Sequence, residues 1–434
     1  MENARIISKR IFRAALQASA PGASVRQHAE SLRARFHNGG FQRLLIVGFG
    51  KAAPPMAGAL AESLGDLVDT GLVVTKYGHA ALPLSEKIRV CEAGHPVPDT
   101  QGLHATGEIL RLVRSADART LIVTLISGGG SALLVAPQDG ISLADKQQAT
   151  SLLLKAGADI FELNTVRKHL SRVKGGRLAE AAYPAKVVSL ILSDVIGDHL
   201  DVIASGPTAP DPTTYSDALD VLSRHQLSEE VPTPVMALLH RGARGEIPET
   251  PKAGSLILDG VDNLIIGSNR QALAAAARAA RELGFTVSIV AEEQVGEARE
   301  VGRQLAHQAL AAADSKKRDS RLCLLVGGET TVTVRGQGKG GRNMELALAF
   351  AMAIEEHPGI TLLSAGTDGT DGPTDAAGAI VDGTTIARAR ELGLDPQTYL
   401  DDNNSYAFFD QCGGLLVTGP TGTNVMDLQI LVIA

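Results

Sequence analysis

Short runs of Val, Ile and Leu alternate along the chain with longer stretches rich in Ala, Leu and charge, and many of the runs end in glycine. That alternation predicts an α/β fold, with buried parallel strands linked by crossing helices. Strands are predicted at 44–47, 72–75, 121–126, 187–192, 264–266, 286–290, 322–326 and 361–363, continuous apolar runs of the kind that a sheet covered on both faces requires. Helices are predicted over 52–64, 143–155, 271–283 and 344–356, and an amphipathic helix over 4–20, where Ile7, Ile11, Ala15 and Leu16 share a face. Later in the chain the pattern changes. Residues 331–334 alternate like a half-exposed strand, and 415–418 and 428–433 predict further strands with few helices between them, hence a smaller, mixed-sheet second domain. The segment 241–254 has no apolar period and carries two prolines and three glycines, which makes it the expected linker between a domain at 1–240 and another at 255–434.

Composition narrows the function. With 434 residues, 41 Lys and Arg against 48 Asp and Glu, no Trp and 3% aromatic residues, the chain lacks the basic, stacking-rich surface of a nucleic-acid binder. No run of 18 apolar residues predicts a membrane span, and three scattered cysteines without CxxC spacing predict a reduced, cytoplasmic protein. A homodimer is one option that the sequence leaves open.

Three glycine turns carry the candidate chemistry. The first, 47–53 (VGFGKAA), follows a strand and opens a helix, satisfying the permissive G-x-G-x-x-A form of the dinucleotide fingerprint. The next strand ends in Lys76 rather than an acid, which disfavours NAD and leaves an NADPH-dependent reductase as the alternative. Lys51 stands where the macrodipole disfavours a cation, a cost that a bound anion would reverse. The second turn, Ser127-Gly128-Gly129-Gly130-Ser131, places successive glycine amides at the end of a buried strand, a nest suited to phosphate, so Gly128, Gly129, Gly130 and Ser131 are the expected nucleotide-phosphate contacts. In the third, 335–343, four glycines and three basic residues could wrap an anion, with Gly340 and Gly341 leading to Arg342 at a helix start. No G-x-x-x-x-G-K-[ST] occurs, which excludes a P-loop NTPase.

Asp194 and Asp198 follow the strand at 187–192. Oxygen ligands there suit Mg²⁺ carried by a nucleotide, and Asp194 could instead accept a proton from a hydroxyl nucleophile. The loop 366–375 packs three acids and three threonines together; its simplest reading is a string of Asx turns. No HExxH or Cys/His spacing supports zinc, and no G-x-S-x-G elbow supports a catalytic serine.

Taken in order, VGFGKAA, ISGGGSALL, LSDVIGD, ASGPT, GGETTVTVRGQGKGGRNMELAL and SAGTDGTDGPTDAAGA resemble the glycerate 2-kinase family, whose C-terminal part is the MOFRL domain, over nearly the whole chain. Some members of that family carry the label hydroxypyruvate reductase. The resemblance implies an N-terminal Rossmann-like α/β/α sandwich, a smaller C-terminal α/β domain and an active site in the cleft between them. It places the family's catalytic lysine on Lys51 and its catalytic arginine on Arg342, and it implies transfer of the ATP γ-phosphoryl group to the 2-hydroxyl of D-glycerate with Mg²⁺. Ser127, Asn343 and Asp368 are the expected substrate contacts. Besides the reductase, a non-catalytic anion-binding module is the third reading.

Overall fold

The computed structural model describes residues 3–80, 84–317 and 320–434. The chain forms two compact units, Pro21–Ile266 and Gly267–Ala434, the second completed by the first twenty residues. Among the described residues no helix is long and apolar enough to cross a membrane.

The strands of the Pro21–Ile266 unit are β1 (Arg43–Phe49), β2 (Thr70–Lys76), β3 (Ile88–Ala93), β4 (Thr120–Ile126), β5 (Lys186–Leu192) and β6 (Val261–Gly267). They form one sheet in the order β3-β2-β1-β4-β5-β6, parallel from β3 through β5. Side chains alternate across a strand, so β1 feeds two cores. Leu44 and Ile46 pack with helices Pro21–Asn38 and Ala53–Leu64, while Leu45, Val47 and Phe49 pack with helix Thr100–Arg114 and its neighbours. Both faces are covered, which is why these strands read as unbroken apolar runs. A separate helical core joins Leu143–Lys155, Ile160–His169, Tyr215–Arg224 and Thr233–Ala243 around Tyr215 and Leu239.

The second unit holds β7 (Thr286–Gln294), β8 (Leu322–Gly328), β9 (Ile360–Gly366), β10 (Gly378–Asp382), β11 (Leu415–Leu416) and β12 (Asp427–Ile433). Their order is β11-β10-β9-β12-β8-β7, with only β7 and β8 parallel among the paired strands, so the sheet is mixed as expected. Gly341 caps helix Arg342–Ala353, which lies in one core, and helix Ala4–Ala18 lies in the other.

Several expectations need correction. The first helix does not belong with the residues that follow it: its stripe Ile7, Ile11, Phe12 and Ala15 is buried with Ala276 and Ile430 of the other unit. The expected linker 241–254 is no linker, because its prolines and glycines accompany fixed contacts. Thr250 donates to Asp211 at 2.9 Å, Tyr215 N donates to Glu249 at 2.9 Å, and Asp211 N donates to the Pro251 carbonyl at 2.9 Å. Residues 331–334 form no strand; Thr331 makes one bridge to Glu297, whose carboxylate takes the Thr333 amide. The expected scarcity of late helices also fails, since Thr385–Glu391, Pro396–Asp401 and Ser405–Cys412 are helical and bury Ile386, Leu400 and Phe408.

Candidate active site

In the Pro21–Ile266 unit the first two glycine turns are laced together, because the register of β1 and β4 sets Phe49 opposite Ile126 and ends both strands at one level. Lys51 N donates to the Gly128 carbonyl at 2.9 Å and Ala52 N to the Ser127 hydroxyl at 3.0 Å. Gly50 has φ of +127°, and a Cβ there would collide with Ser127, so only glycine permits this approach. Ser127, an expected substrate contact, is instead buried, with its hydroxyl bonded to the turn that carries Lys51.

Gly129 also has positive φ, and a Cβ on it would lie 2.9 Å from the His95 ring and 3.6 Å from Lys51 Cγ. His95 therefore stands beside Lys51. Burial, then the charges of Lys51, Lys76 and His79, push the His95 imidazole down to about 4. It is a neutral ring at physiological pH, able to donate and accept but not to compete as a cation. Asp194 lies within electrostatic range of the same lysine: burial pushes its carboxyl above the ordinary range, opposed by its own amide and by Lys51. A carboxyl raised by burial and steered by one cation is the kind of group that serves as a proton acceptor.

Asp198 has a different setting. It adopts φ of +54° and borders a concavity with His199, Asp201 and Pro210. Among the described residues no group of three or more His, Cys, Asp or Glu side chains is arranged to hold a metal ion. The donor chemistry of Asp194 fits a magnesium ion that arrives on nucleotide phosphates and keeps several waters, rather than one held in an all-protein cage.

Beyond Gly130, Ser131 shares a hydrogen bond of 2.8 Å with Ser205, which donates to Asn164 at 2.8 Å. Lys174 Nζ donates to the Ser131 carbonyl at 2.7 Å and its hydroxyl at 3.0 Å. Lys174 is fully buried, and the loop is thereby tied to a cation that the sequence reading missed.

The other constellation belongs to the second unit. Arg342 is held in a fork by Asp427, Nε–Oδ2 2.5 Å and Nη2–Oδ1 2.9 Å, while Nη1 lies 2.9 Å from Glu329. Burial works against its charge, but Asp427, Glu329 and Asp371 outweigh it and raise its pKa. Asp427 opens β12 between β8 and β9, and the register puts it opposite Gly328 and Gly366. The glycine loop before Arg342 is not an open cradle. The Arg335 and Gly336 amides donate to Asn403 at 2.7 and 3.0 Å, Gln337 N to Asp402 at 2.8 Å, and Lys339 N to Asn404 at 3.2 Å. Its glycines allow close approach to 402–405; a Cβ at Gly340 or Gly341 would collide with Ser405 or Asp371. Those amides of 335–339 are therefore satisfied by protein acceptors.

Asn343 is buried, accepting from Ser364 at 2.8 Å while its own amide N–H donates to Asp371 at 3.0 Å. Asp368 accepts from Thr370 N at 3.0 Å and its hydroxyl at 3.1 Å, an Asx turn. Asn343 is thus engaged inside the protein and the half-buried Asp368 in a local turn, whereas Asp371 of the same acidic loop caps the Arg342 helix, accepting also from Met344 N at 2.8 Å. Burial pushes Asp371 up to about 7, against the Asn343 and Met344 amides. A proton stays on it in the folded chain where the unfolded carboxyl, with an ordinary pKa of about 4, has lost it. Its contribution to stability is therefore complete below pH about 4 and is lost as pH rises toward about 7. Asp371→Asn should gain stability relative to the parent across that window. Melting temperatures at a series of pH values check this, and parallel curves for the two proteins would exclude it.

Comparison with known proteins agrees with this architecture. A family model described as Domain of unknown function (DUF4147) matches residues 7–240, and the MOFRL family model matches 322–427. The D-glycerate 2-kinase of Thermotoga maritima is 45% identical over 99% of this chain and 98% of its own. A crystal structure of glycerate kinase from the same organism superposes with a TM-score of 0.91 at 44% identity, covering 100% of both chains. A relative from Agrobacterium vitis, 42% identical over 99% of this chain and 95% of its own, carries the provisional name hydroxypyruvate reductase. With two family models in the expected order and identity above two-fifths from end to end, the chain belongs to the MOFRL-containing glycerate 2-kinase family.

Proposed function

We propose that this protein transfers the γ-phosphoryl group of ATP to the 2-hydroxyl of D-glycerate, giving 2-phosphoglycerate and ADP. The observation that carries the reading is Lys51 on two interlaced glycine turns, with the neutral ring of His95 beside it and the raised carboxyl of Asp194 within its electrostatic range. Phosphoryl transfer asks chiefly for positioned positive charge around spreading negative charge, and for a group to take the hydroxyl proton. In the proposed step the glycerate O2 attacks the γ-phosphorus and its proton passes to the Asp194 carboxylate. The bond from phosphorus to the β–γ bridging oxygen breaks, and ADP leaves with that electron pair. Lys51 and Arg342 both serve this step, Lys51 toward the transferring group and Arg342, oriented by Asp427, toward the glycerate carboxylate or the phosphoryl oxygens. Gly128 and Gly129 offer main-chain amides to phosphate, and a Mg²⁺ ion arriving with the nucleotide would supply further positive charge against its phosphates, which leaves Asp194 free to take the proton. The reading also places the enzyme in the cytoplasm, supported by three unpaired cysteines.

Hydride transfer has less support, since β2 ends in Lys76 at the position where a ribose-binding acid would stand. A coupled assay separates the two. ADP release that requires both glycerate and Mg²⁺, with no nicotinamide oxidation on hydroxypyruvate, is the expected result; NADPH consumption without ADP release would overturn it.

A further inference from the structure

Next to the Ser131 end of the second glycine turn lies a cavity of about 620 Å³ within the Pro21–Ile266 unit. Lys146, Arg167 and Lys174 all line it. Lys146 and Lys174 are 4% and 1% exposed, and no carboxylate pairs with any of the three among the described residues. The two lysines bond only neutral oxygens among the described residues: Lys146 Nζ donates to the Arg167 carbonyl at 3.2 Å, and Lys174 Nζ to Ser131 and to the Ala204 carbonyl. Burial, then Arg167, pushes the Lys146 ammonium down to about 7, and burial, then Lys146 and Arg167, lowers Lys174 well below its usual value. A buried lysine without a counter-ion either gives up its proton or is met by a partner of opposite sign, and an anion entering the cavity would restore its charge. Nothing in the described protein supplies that partner, so the cavity is built for an anion brought from outside.

The walls identify the anion's class. Pro96, Val97, Pro98, Val135 and Leu154 add apolar surface to the lining that holds the three basic residues. Its volume falls within the ~300–1,000 Å³ of pockets that enclose a large organic ligand, far more than a three-carbon acid fills. Glycerate, with one charge, would leave two of the three cations unmatched, whereas a polyphosphate chain carries enough charge for all of them. A flat apolar body attached to a polyphosphate matches both kinds of lining.

We infer that this cavity seats the nucleoside triphosphate, with Lys146, Arg167 and Lys174 gripping its phosphate chain and the Pro96–Pro98 side covering its base. The inference rests on the kinase reading and deepens it: the nucleotide lies in the Pro21–Ile266 unit, and its phosphates run from this cavity toward the Ser127–Ser131 turn.

The test uses the full-length enzyme and two variants, Lys146→Met and Arg167→Met, which keep bulk and remove charge. Calorimetric titration with tripolyphosphate and with AMP-PNP reads binding directly, and steady-state kinetics with ATP and glycerate varied separately read where each loss falls. Each variant should weaken both ligands by about ten- to hundredfold and raise KM for ATP similarly, with KM for glycerate unchanged. Lys146→Met should melt no lower than the parent, because it replaces a buried amine that no carboxylate pairs with an apolar side chain of similar bulk. A KM for ATP within about twofold of the parent in both variants, or a rise in KM for glycerate alone, would overturn the assignment. Failure of the kinase reading would look different: the parent would bind AMP-PNP in a Lys146-dependent way yet transfer no phosphate to glycerate.

Discussion

Replacing Lys51 with alanine lowers turnover by about two to four orders of magnitude while the fold survives, the range found when a phosphoryl-stabilising cation is removed. The fold should survive because the contacts that lace the turn to its neighbour come from main chain and from Ser127: Lys51 N to the Gly128 carbonyl, Ala52 N to the Ser127 hydroxyl. None requires the lysine side chain. A second consequence follows from Asp194. Burial raises that carboxyl and Lys51 restrains it, so loss of the lysine moves it further upward. If Asp194 must be ionised to accept the hydroxyl proton, the acid limb of the residual kcat/KM profile shifts to higher pH in Lys51→Ala. Rapid-quench turnover, circular dichroism and the pH profile together check this. Turnover like that of the parent in a well-folded Lys51→Ala would exclude a role for the side chain, and an unmoved acid limb would exclude Asp194 as the acceptor.

What could be read from the sequence, and what could not, follows from the range of the interactions. Strands such as 121–126 were legible because burial on both faces demands uninterrupted apolar residues, and β4 is buried along its whole length. Lys51 and Arg342 stood out as candidates because a cation at a helix start is a local anomaly in the sequence itself. Asp427 was not, since it lies 85 residues from Arg342 and meets it only because β12 pairs between β8 and β9. Residues 241–254 misled for a related reason: proline and glycine report turns, and the ties of Glu249 and Thr250 to Tyr215 and Asp211 are made by tertiary structure. Lys146 did leave a local signal that went unused. It stands three residues before Ala149 and seven before Leu153, on the buried face of helix Leu143–Lys155, where a lysine has no ordinary reason to be.

Replacing Asp427 with asparagine slows turnover by about ten- to hundredfold, less than the two to four orders of magnitude expected for Arg342→Ala, because asparagine leaves the arginine present but no longer gripped at two points. Asp427 reaches no reacting group in this scheme; it is a positioning residue, buried at the first position of β12 and acting through the guanidinium it holds. The substitution also removes the charge that answers a partly buried cation, which should lower stability by about 1–3 kcal/mol, below the cost at a fully buried pair since the Arg342 side chain is 35% exposed. Asp371 supplies an independent readout, because the Asp427 carboxylate helps to raise its pKa, and in Asp427→Asn that titration moves toward the ordinary carboxyl range. A double-mutant cycle then separates the mechanisms. If Asp427 works only by aiming Arg342, adding Asp427→Asn to Arg342→Ala costs no further turnover, and the two kinetic losses fail to add. A full additional loss in the double variant would mean that Asp427 acts on the reaction by a route of its own, and the description of Arg342 as a cation aimed by its fork would have to be abandoned.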